Sequence, residues 1–558
     1  MLQRMTGARL FARTLEAYGV SHVFFMDAVL RRALAEMEDC NITRILGHSE
    51  KAVAYMADGY ARVSGRPGVC FAQSVGAANL AAAMQDPYLG HSAVVAFTGR
   101  HVPQFQHRNA YQEVQHEPLF SAVTKFHAKI ETLDQMQHLI RQAFREATTG
   151  TPRPVHLDIA GLTGDALAVL EDTFDVVADP AHTRYPAFRP APDPAAVKQA
   201  AEAIGRSRRP VIVADRGVVV SGGEAALARL AQRIQAVVVV TLDAKAVMLE
   251  GHPLFRGVVG LYGRSCANHV VAEADLVIFA GSNTSDHTTA NFKLPGPGIP
   301  VVQIDQDPIE IGRNYPGTIG LLADVGAGME ALAATCGAGE RADWLGQSQK
   351  HVDDWHAEVR ARRVAESLPM RPERLCAEFT DVLPDNAIVI SDTGYSALWT
   401  GTLVYLRSTS QNYFRAAGSL GWAFPASLGA KCAAPERPVI CFTGDGGFYY
   451  HLPELETARR RGIKTVTVVN NNHSLSQGLR NLTAAYGDRD RARMGECFEY
   501  RETDFARVAQ AFDCFGVIVE RPGDFRKAFE QAMASDLPAV IDVRTEFGAM
   551  ADLPWVPA

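Results

Sequence analysis

Short Val- and Ile-rich runs ending in Gly, Ser or Asp alternate along the chain with longer amphipathic stretches, and the alternation occurs three times. Continuous apolar runs suit strands buried on both faces of a parallel sheet, and the amphipathic stretches suit the helices that cover it. The pattern predicts an α/β fold of three consecutive doubly wound parallel-sheet domains. Strands are expected at 44–47, 69–72, 93–98 and 155–159 in the first domain. In the second they are expected at 210–215, 236–242, 275–280 and 300–304, and in the third at 387–391, 438–443, 464–470 and 539–543. A stretch with Pro and Asp, 179–194, reads as a linker, and a polar helical segment, 343–368, leads into the third block. The expected domains are therefore 1–177, 190–342 and 369–558.

Composition narrows the class rather than the function. At 558 residues and 47% hydrophobic content the chain exceeds a single core. A formal net charge of −7 leaves no basic surface for nucleic acid or acidic membranes. The N-terminal stretch lacks the apolar core of a signal peptide, and no run approaches the roughly 18–20 apolar residues that span a bilayer. Nine cysteines without a CxxC pair fit reduced thiols. A soluble, cytoplasmic enzyme with a small-molecule substrate is the expectation.

The chemistry is concentrated in 437–474, which reads as strand, Gly-rich turn, helix and strand. The first strand ends in Thr443-Gly444-Asp445-Gly446-Gly447. Glycines there let the backbone approach a ligand, and the helix that follows offers unpaired N–H groups to an anion. The next strand ends in Asn470-Asn471-Asn472. Parallel βαβ geometry returns both strand ends to one sheet edge, so Asp445 and Asn472 can converge. A carboxylate, an amide oxygen and a backbone carbonyl are hard ligands suited to octahedral Mg2+. The turn alone would be an ordinary capped βα loop; the Asn run after the next strand is what adds meaning.

This segment resembles the metal–diphosphate motif of thiamine-diphosphate enzymes, which opens with GDG and closes with NN. The resemblance extends over nearly the whole chain to the acetolactate synthase, benzoylformate decarboxylase and pyruvate oxidase group. It implies pyrimidine-binding, central and diphosphate-binding domains in that order. By the resemblance Asp445, Asn472 and the Ser474 carbonyl hold Mg2+, while Gly444, Gly446 and Gly447 approach the diphosphate of thiamine diphosphate. Gly394, Tyr395 and Ser396, in Ser391-Asp392-Thr393-Gly394-Tyr395-Ser396, would reach the same diphosphate. Gly418-Ser419-Leu420-Gly421 matches the loop whose apolar residue, here Leu420, bends the cofactor, and the Gly418 carbonyl would meet its amino group. His48-Ser49-Glu50, followed by Ala57-Asp58-Gly59-Tyr60, is similar to the segment whose glutamate meets the aminopyrimidine ring. Without the resemblance, Glu50 is simply an acid complementing a helix dipole. With it, Glu50 is the group that activates the cofactor by proton transfer.

The chain also departs from the pattern. Phe24-Phe25-Met26-Asp27-Ala28-Val29 stands where many relatives carry Gly-x-Pro-Gly, and Val29 where simple decarboxylases keep Asp or Ser. Gln73 occupies a loop that often bears a catalytic His, and Gly478 falls on or near the decarboxylase Glu. Gln73 and Gln112, in Tyr111-Gln112-Glu113, could hydrogen-bond a substrate carbonyl; the other histidines receive no role. FAD or ADP in the central domain is possible, yet Gly281–His287 lacks the Arg pattern that would support it. The implied function is a 2-oxoacid decarboxylase/carboligase, acetolactate-synthase-like, acting as a homodimer or homotetramer. The rivals are a 2-hydroxyacyl-CoA lyase or oxalyl-CoA decarboxylase, and a catalytically silent regulatory subunit.

Overall fold

A computed structural model describes residues 2–558. It contains three six-stranded, all-parallel sheets, and each takes its strands from one stretch of the chain. The first sheet uses strands between His22 and Ala160, the second between Pro210 and Leu322, the third between Ile388 and Arg544. Numbered within each sheet, the strands of the outer two run in the order 2-1-3-4-6-5, whereas the central sheet runs 3-2-1-4-5-6. All twelve expected strands are present. Those with no counterpart in the sequence pattern lie mostly at sheet edges: Phe126–Ile130, Phe255–Val258, Ile319–Leu322, Asn412–Arg415 and Phe515–Val519. An antiparallel pair, Gln3–Thr6 with Glu171–Phe174, lies outside the three sheets.

The expected linker includes a short turn of helix, Pro180–Thr183, and is tied to the first domain where Tyr185 Oη donates to the Ala61 carbonyl at 2.6 Å. The polar segment after the central domain is the helix Ala342–Arg363. Its Trp355 and Val359 pack into the core of the third domain, and its Trp344 into that of the second. Among the described residues no helix is long and apolar enough to cross a membrane.

The contact that matters for the site joins the first and third domains. Helix Glu50–Ser64 begins at Ser49, whose hydroxyl accepts the Ala52 N–H, and ends at Gly65 in the left-handed region. Most of it is buried, because it lies on its own sheet and also against helix Ala423–Ala433. Two glycines allow that crossing. A Cβ on Gly59 would stand 2.0 Å from the Ala426 carbonyl oxygen, and one on Gly429 1.8 Å from that of Met56. Below the crossing lies a buried ion cluster. Arg62 makes a bidentate pair with Asp58 (3.0 and 2.7 Å), reaches Asp86 at 2.8 Å and stacks over Trp422, whose indole N–H donates to Asp58.

Candidate active site

Strands Val439–Gly444 and Val466–Asn471 are paired neighbours, so their C-terminal ends open on one edge of the third sheet. A cavity of about 400 Å³ lies there. Its walls bring together Gly394, Tyr395, Ser396, Leu420, Gly444, Asp445, Gly446, Gly447, Asn472 and Ser474. Two helices, Tyr395–Leu403 and Asp445–Tyr449, begin at this wall, and the first-turn N–H groups of each lack intrahelical partners, apart from that of Gly446, which Asp445 accepts. Gly394 holds φ +67°, a conformation that side chains resist. A Cβ on Gly446 would come within 2.5 Å of Leu475 Cδ2, so a larger residue there would have to displace the Leu475 side chain.

Asp445 is 2% exposed. One of its oxygens accepts the Gly446 N–H at 2.6 Å and the other the Ser474 N–H at 3.0 Å. Burial nevertheless pushes its carboxyl up to about 6, against those backbone donors. Asn472 uses its amide N–H on Ser476 Oγ at 3.0 Å, which leaves its oxygen for another partner. Beside it Asn470 Oδ1 and Ser474 Oγ are buried without a hydrogen bond among the described residues. A buried carboxylate short of positive charge, next to unsatisfied oxygens, fits a divalent cation. The helix N-termini next to it fit a diphosphate.

Asp392, quoted in the sequence motif without a role, ties three loops of this wall together. Its carboxylate accepts the N–H groups of Thr393 (2.8 Å), Gly421 (3.0 Å) and Ala423 (3.3 Å), and the Thr443 hydroxyl at 3.3 Å. Burial raises it to about 6. Asp86, from the first domain, holds the same Leu420 loop from the other side, accepting the N–H groups of Ala417 and Ser419, each at 3.0 Å. These acids are visible as letters, but their partners lie far away in sequence.

A second cavity, about 610 Å³, lies where all three domains meet. It contains Gly418, and Leu420, Thr393 and Gln477 line both cavities, so the two adjoin at the bend loop. At the switch point of the central sheet, the Asp215 carboxylate accepts the Arg216 N–H (2.7 Å) and the hydroxyls of Thr241 (2.5 Å) and Ser282 (2.7 Å). That carboxylate caps the short helix Arg216–Ser221 and takes up its first N–H, so this helix end offers a nucleotide diphosphate no support. Asp243 is paired with Arg415 at 2.8 Å. Arg216, 7% exposed, is left: its Nε has no hydrogen bond, and no carboxylate among the described residues pairs with it. A buried guanidinium without a partner is a receptor for an anion. Nothing in the sequence distinguishes it from the other arginines.

Glu50, Gln73 and Gln112 line neither cavity. Glu50 opens its helix, accepts the Asn79 amide N–H at 2.8 Å and abuts Gly76, where a Cβ would collide with its carboxylate. Gln73 and Gln112 lie on two loops of the same domain joined by Ser74 Oγ, which donates to the Gln112 carbonyl at 3.0 Å. Val29 is fully buried in the first domain's core and faces no cleft. Gly478 lines the first cavity. His48 turns away, toward Glu454 and Thr457.

Models of thiamine pyrophosphate enzymes match the chain in three segments: the N-terminal TPP binding domain over residues 5–119, the central domain over 197–332 and the C-terminal TPP binding domain over 392–543. A probable acetolactate synthase large subunit of Methanocaldococcus jannaschii is 31% identical over 97% of this chain and 92% of its own length. The acetolactate synthase isozyme 1 large subunit of Escherichia coli K12 is 28% identical, covering 85% of this chain and 83% of itself. A putative thiamine pyrophosphate-containing protein, YdaP, of Bacillus subtilis is 26% identical over 96% and 91%.

Proposed function

The chain belongs to the thiamine pyrophosphate enzymes, and from that premise we propose that it is an acetolactate-synthase-like carboligase, which decarboxylates a 2-oxoacid and joins the remaining fragment to a second carbonyl. Thiamine diphosphate supplies, when bound, a carbon nucleophile and a sink for the electron pair that decarboxylation releases. Asp445, Asn472 and the Ser474 carbonyl hold Mg2+. Gly394, Tyr395, Ser396, Gly444, Gly446 and Gly447 present backbone and side-chain donors to the diphosphate. Gly418 and Leu420 orient the cofactor, and Asp392 and Asp86 fix their loop. Glu50 holds the proton whose transfer activates the site.

The observation that carries the choice of carboligation is the cavity wall at Gly478, where a simple decarboxylase would place an acid. Glycine cannot protonate an intermediate, and Val29, buried in the core, offers nothing in its stead. Arg216, in the adjoining cavity, gives the carboxylate of an acceptor 2-oxoacid a cation to bind. Asp215 at the central switch point argues against the CoA-ester readings, which need an adenine-nucleotide cleft. Because Glu50 does not line the diphosphate cradle of its own chain, we infer a homodimer in which a second copy completes the site. Exposed Val75 and Tyr111 on the Glu50 side, with Tyr450 and Leu475 on the cradle side, are the apolar surfaces such a dimer would cover.

Mass spectrometry of products from a panel of 2-oxoacids and acyl-CoA esters tests the assignment. Acetohydroxyacid or 2-hydroxyketone is expected to exceed free aldehyde. Arg216→Gln should raise KM for the acceptor by roughly 10–100-fold, the loss of one charged hydrogen-bonded contact, with the donor little affected. Stoichiometric aldehyde release with no coupled product would leave a plain decarboxylase.

A further inference from the structure

Behind the loops of Gln73 and Gln112, four ionisable side chains and a threonine form a buried chain of hydrogen bonds that the sequence did not disclose. His127 Nδ1 lies 2.9 Å from His156 Nδ1, and His156 Nε2 lies 2.7 Å from Thr98 Oγ1. Thr98 Oγ1 is 2.5 Å from Asp158 Oδ1, which is also 2.6 Å from His116 Nδ1. His116 Nε2 ends the chain, 3.0 Å from the Ser74 carbonyl. His116, His156 and Asp158 are all nearly inaccessible to solvent.

The protons can be placed one at a time. Asp158 is held near 2 against its own burial by the histidines and Thr98, so it is a carboxylate and Thr98 must donate to it. Thr98 then accepts from His156 Nε2–H. Burial pushes His156 down to about 3, so it carries a single proton, and its Nδ1 accepts from His127. His116 differs from both. Its Nδ1 faces the carboxylate, and its Nε2 faces the Ser74 carbonyl and, at 3.4 Å, a Ser74 hydroxyl already donating to Gln112. Both of its ring nitrogens therefore face acceptors, one on each of two different chain segments. The remaining charges around this cleft are Arg100, paired with Glu131, and Lys129, paired with Glu117, with Glu113 and His101 at its mouth.

We propose that His116 is a positioning residue: held by Asp158 through Nδ1 and bonded to Ser74 through Nε2, it clamps Ser74 and so locks together the two loops that carry Gln73 and Gln112. The proposal rests on reading those glutamines as substrate-facing, but the lock itself does not depend on that. On distance alone His116, His156 and Asp158 could hold a metal ion. The Thr98 hydroxyl within reach of all three, and a complete set of donors and acceptors, satisfy them as hydrogen-bond partners instead.

Hydrogen–deuterium exchange of the substrate-free protein, read by mass spectrometry over 72–77 and 110–117, tests the lock without reference to turnover. His116→Gln sets its amide oxygen against one of two acceptors, the Asp158 carboxylate or the Ser74 carbonyl, and Asp158→Ala removes the oxygen that serves both Thr98 and His116, so exchange in both segments should rise at least tenfold while strand Val94–Arg100 stays protected. Asp158→Asn keeps one oxygen where Thr98 and His116 both bond, so most of the protection should return. In turnover, His116→Gln and Asp158→Ala should each raise KM more than they lower kcat. Wild-type protection in His116→Gln, or an Asp158→Asn variant no better protected than Asp158→Ala, would overturn the lock. So would a stoichiometric transition metal in the purified protein that His156→Ala removes.

Discussion

Replacing Asp86 by Asn tests whether the first domain holds the cofactor loop of the third. Asp86 lies fully buried on helix Ala77–Leu89, and its two oxygens serve three donors: Arg62 Nη2 at 2.8 Å and the N–H groups of Ala417 and Ser419, each at 3.0 Å. Asn keeps the shape but only one acceptor, so whichever way the amide turns, its NH2 faces a donor. Arg62 keeps Asp58 and loses its second anion. Breaking a buried pair costs roughly 3–5 kcal/mol. Burial already pushes the Asp86 carboxyl upward despite Arg62, which discounts its charge, so the low end, about 3 kcal/mol, is expected. At roughly 2–4 °C per kcal/mol for a unit of this size, the transition that melts the first and third domains should fall by about 6–12 °C. Scanning calorimetry measures it, with Arg4→Ala as control, since the Arg4–Glu171 pair is 77% and 47% exposed and should move little. The loosened Leu420 loop should also weaken thiamine diphosphate binding severalfold. A melting temperature within about 2 °C of wild type, together with unchanged cofactor affinity, would refute the reasoning.

Three further substitutions probe separate parts of the site. Asp445→Ala removes the buried carboxylate of the cation site, and calorimetry with Mg2+ present should show thiamine diphosphate affinity collapsing; unchanged affinity would move the metal elsewhere. Glu50→Gln should still bind cofactor, while hydrogen–deuterium exchange at the thiazolium carbon slows by about 10²–10⁴-fold; an unaltered rate would remove Glu50 from the mechanism. Gly429→Ala places a methyl 1.8 Å from the Met56 carbonyl oxygen. Neither helix can give way cheaply, so about 1–3 kcal/mol of destabilisation is expected in denaturant titration, and a wild-type midpoint would mean that the domains slide freely.

The sequence by itself determined the central strands, because a strand covered on both faces must be a continuous apolar run, as Val237–Val240 and Leu276–Ala280 are. Edge strands such as Phe126–Ile130 and Phe515–Val519 are only partly covered; the first is interrupted by His127 and Lys129, and the second is a short run that opens with Phe515-Gly516. The convergence of the proposed cradle residues was legible for the same local reason: Asp445 and Asn472 lie at the ends of adjacent strands of one βαβ unit, and chain connectivity brings them together. Connectivity says nothing about contacts between domains. Asp86 and the Ser419 N–H, Arg216 and the cavity it faces, and His116 with Asp158 are each joined by packing across long stretches of chain, and their residue types are common at ordinary positions. Only the tertiary structure could show that the buried Arg216 lacks a carboxylate among the described residues and that His116 lies between two acceptors, because whether a buried polar group is satisfied depends on everything around it rather than on its place in the chain.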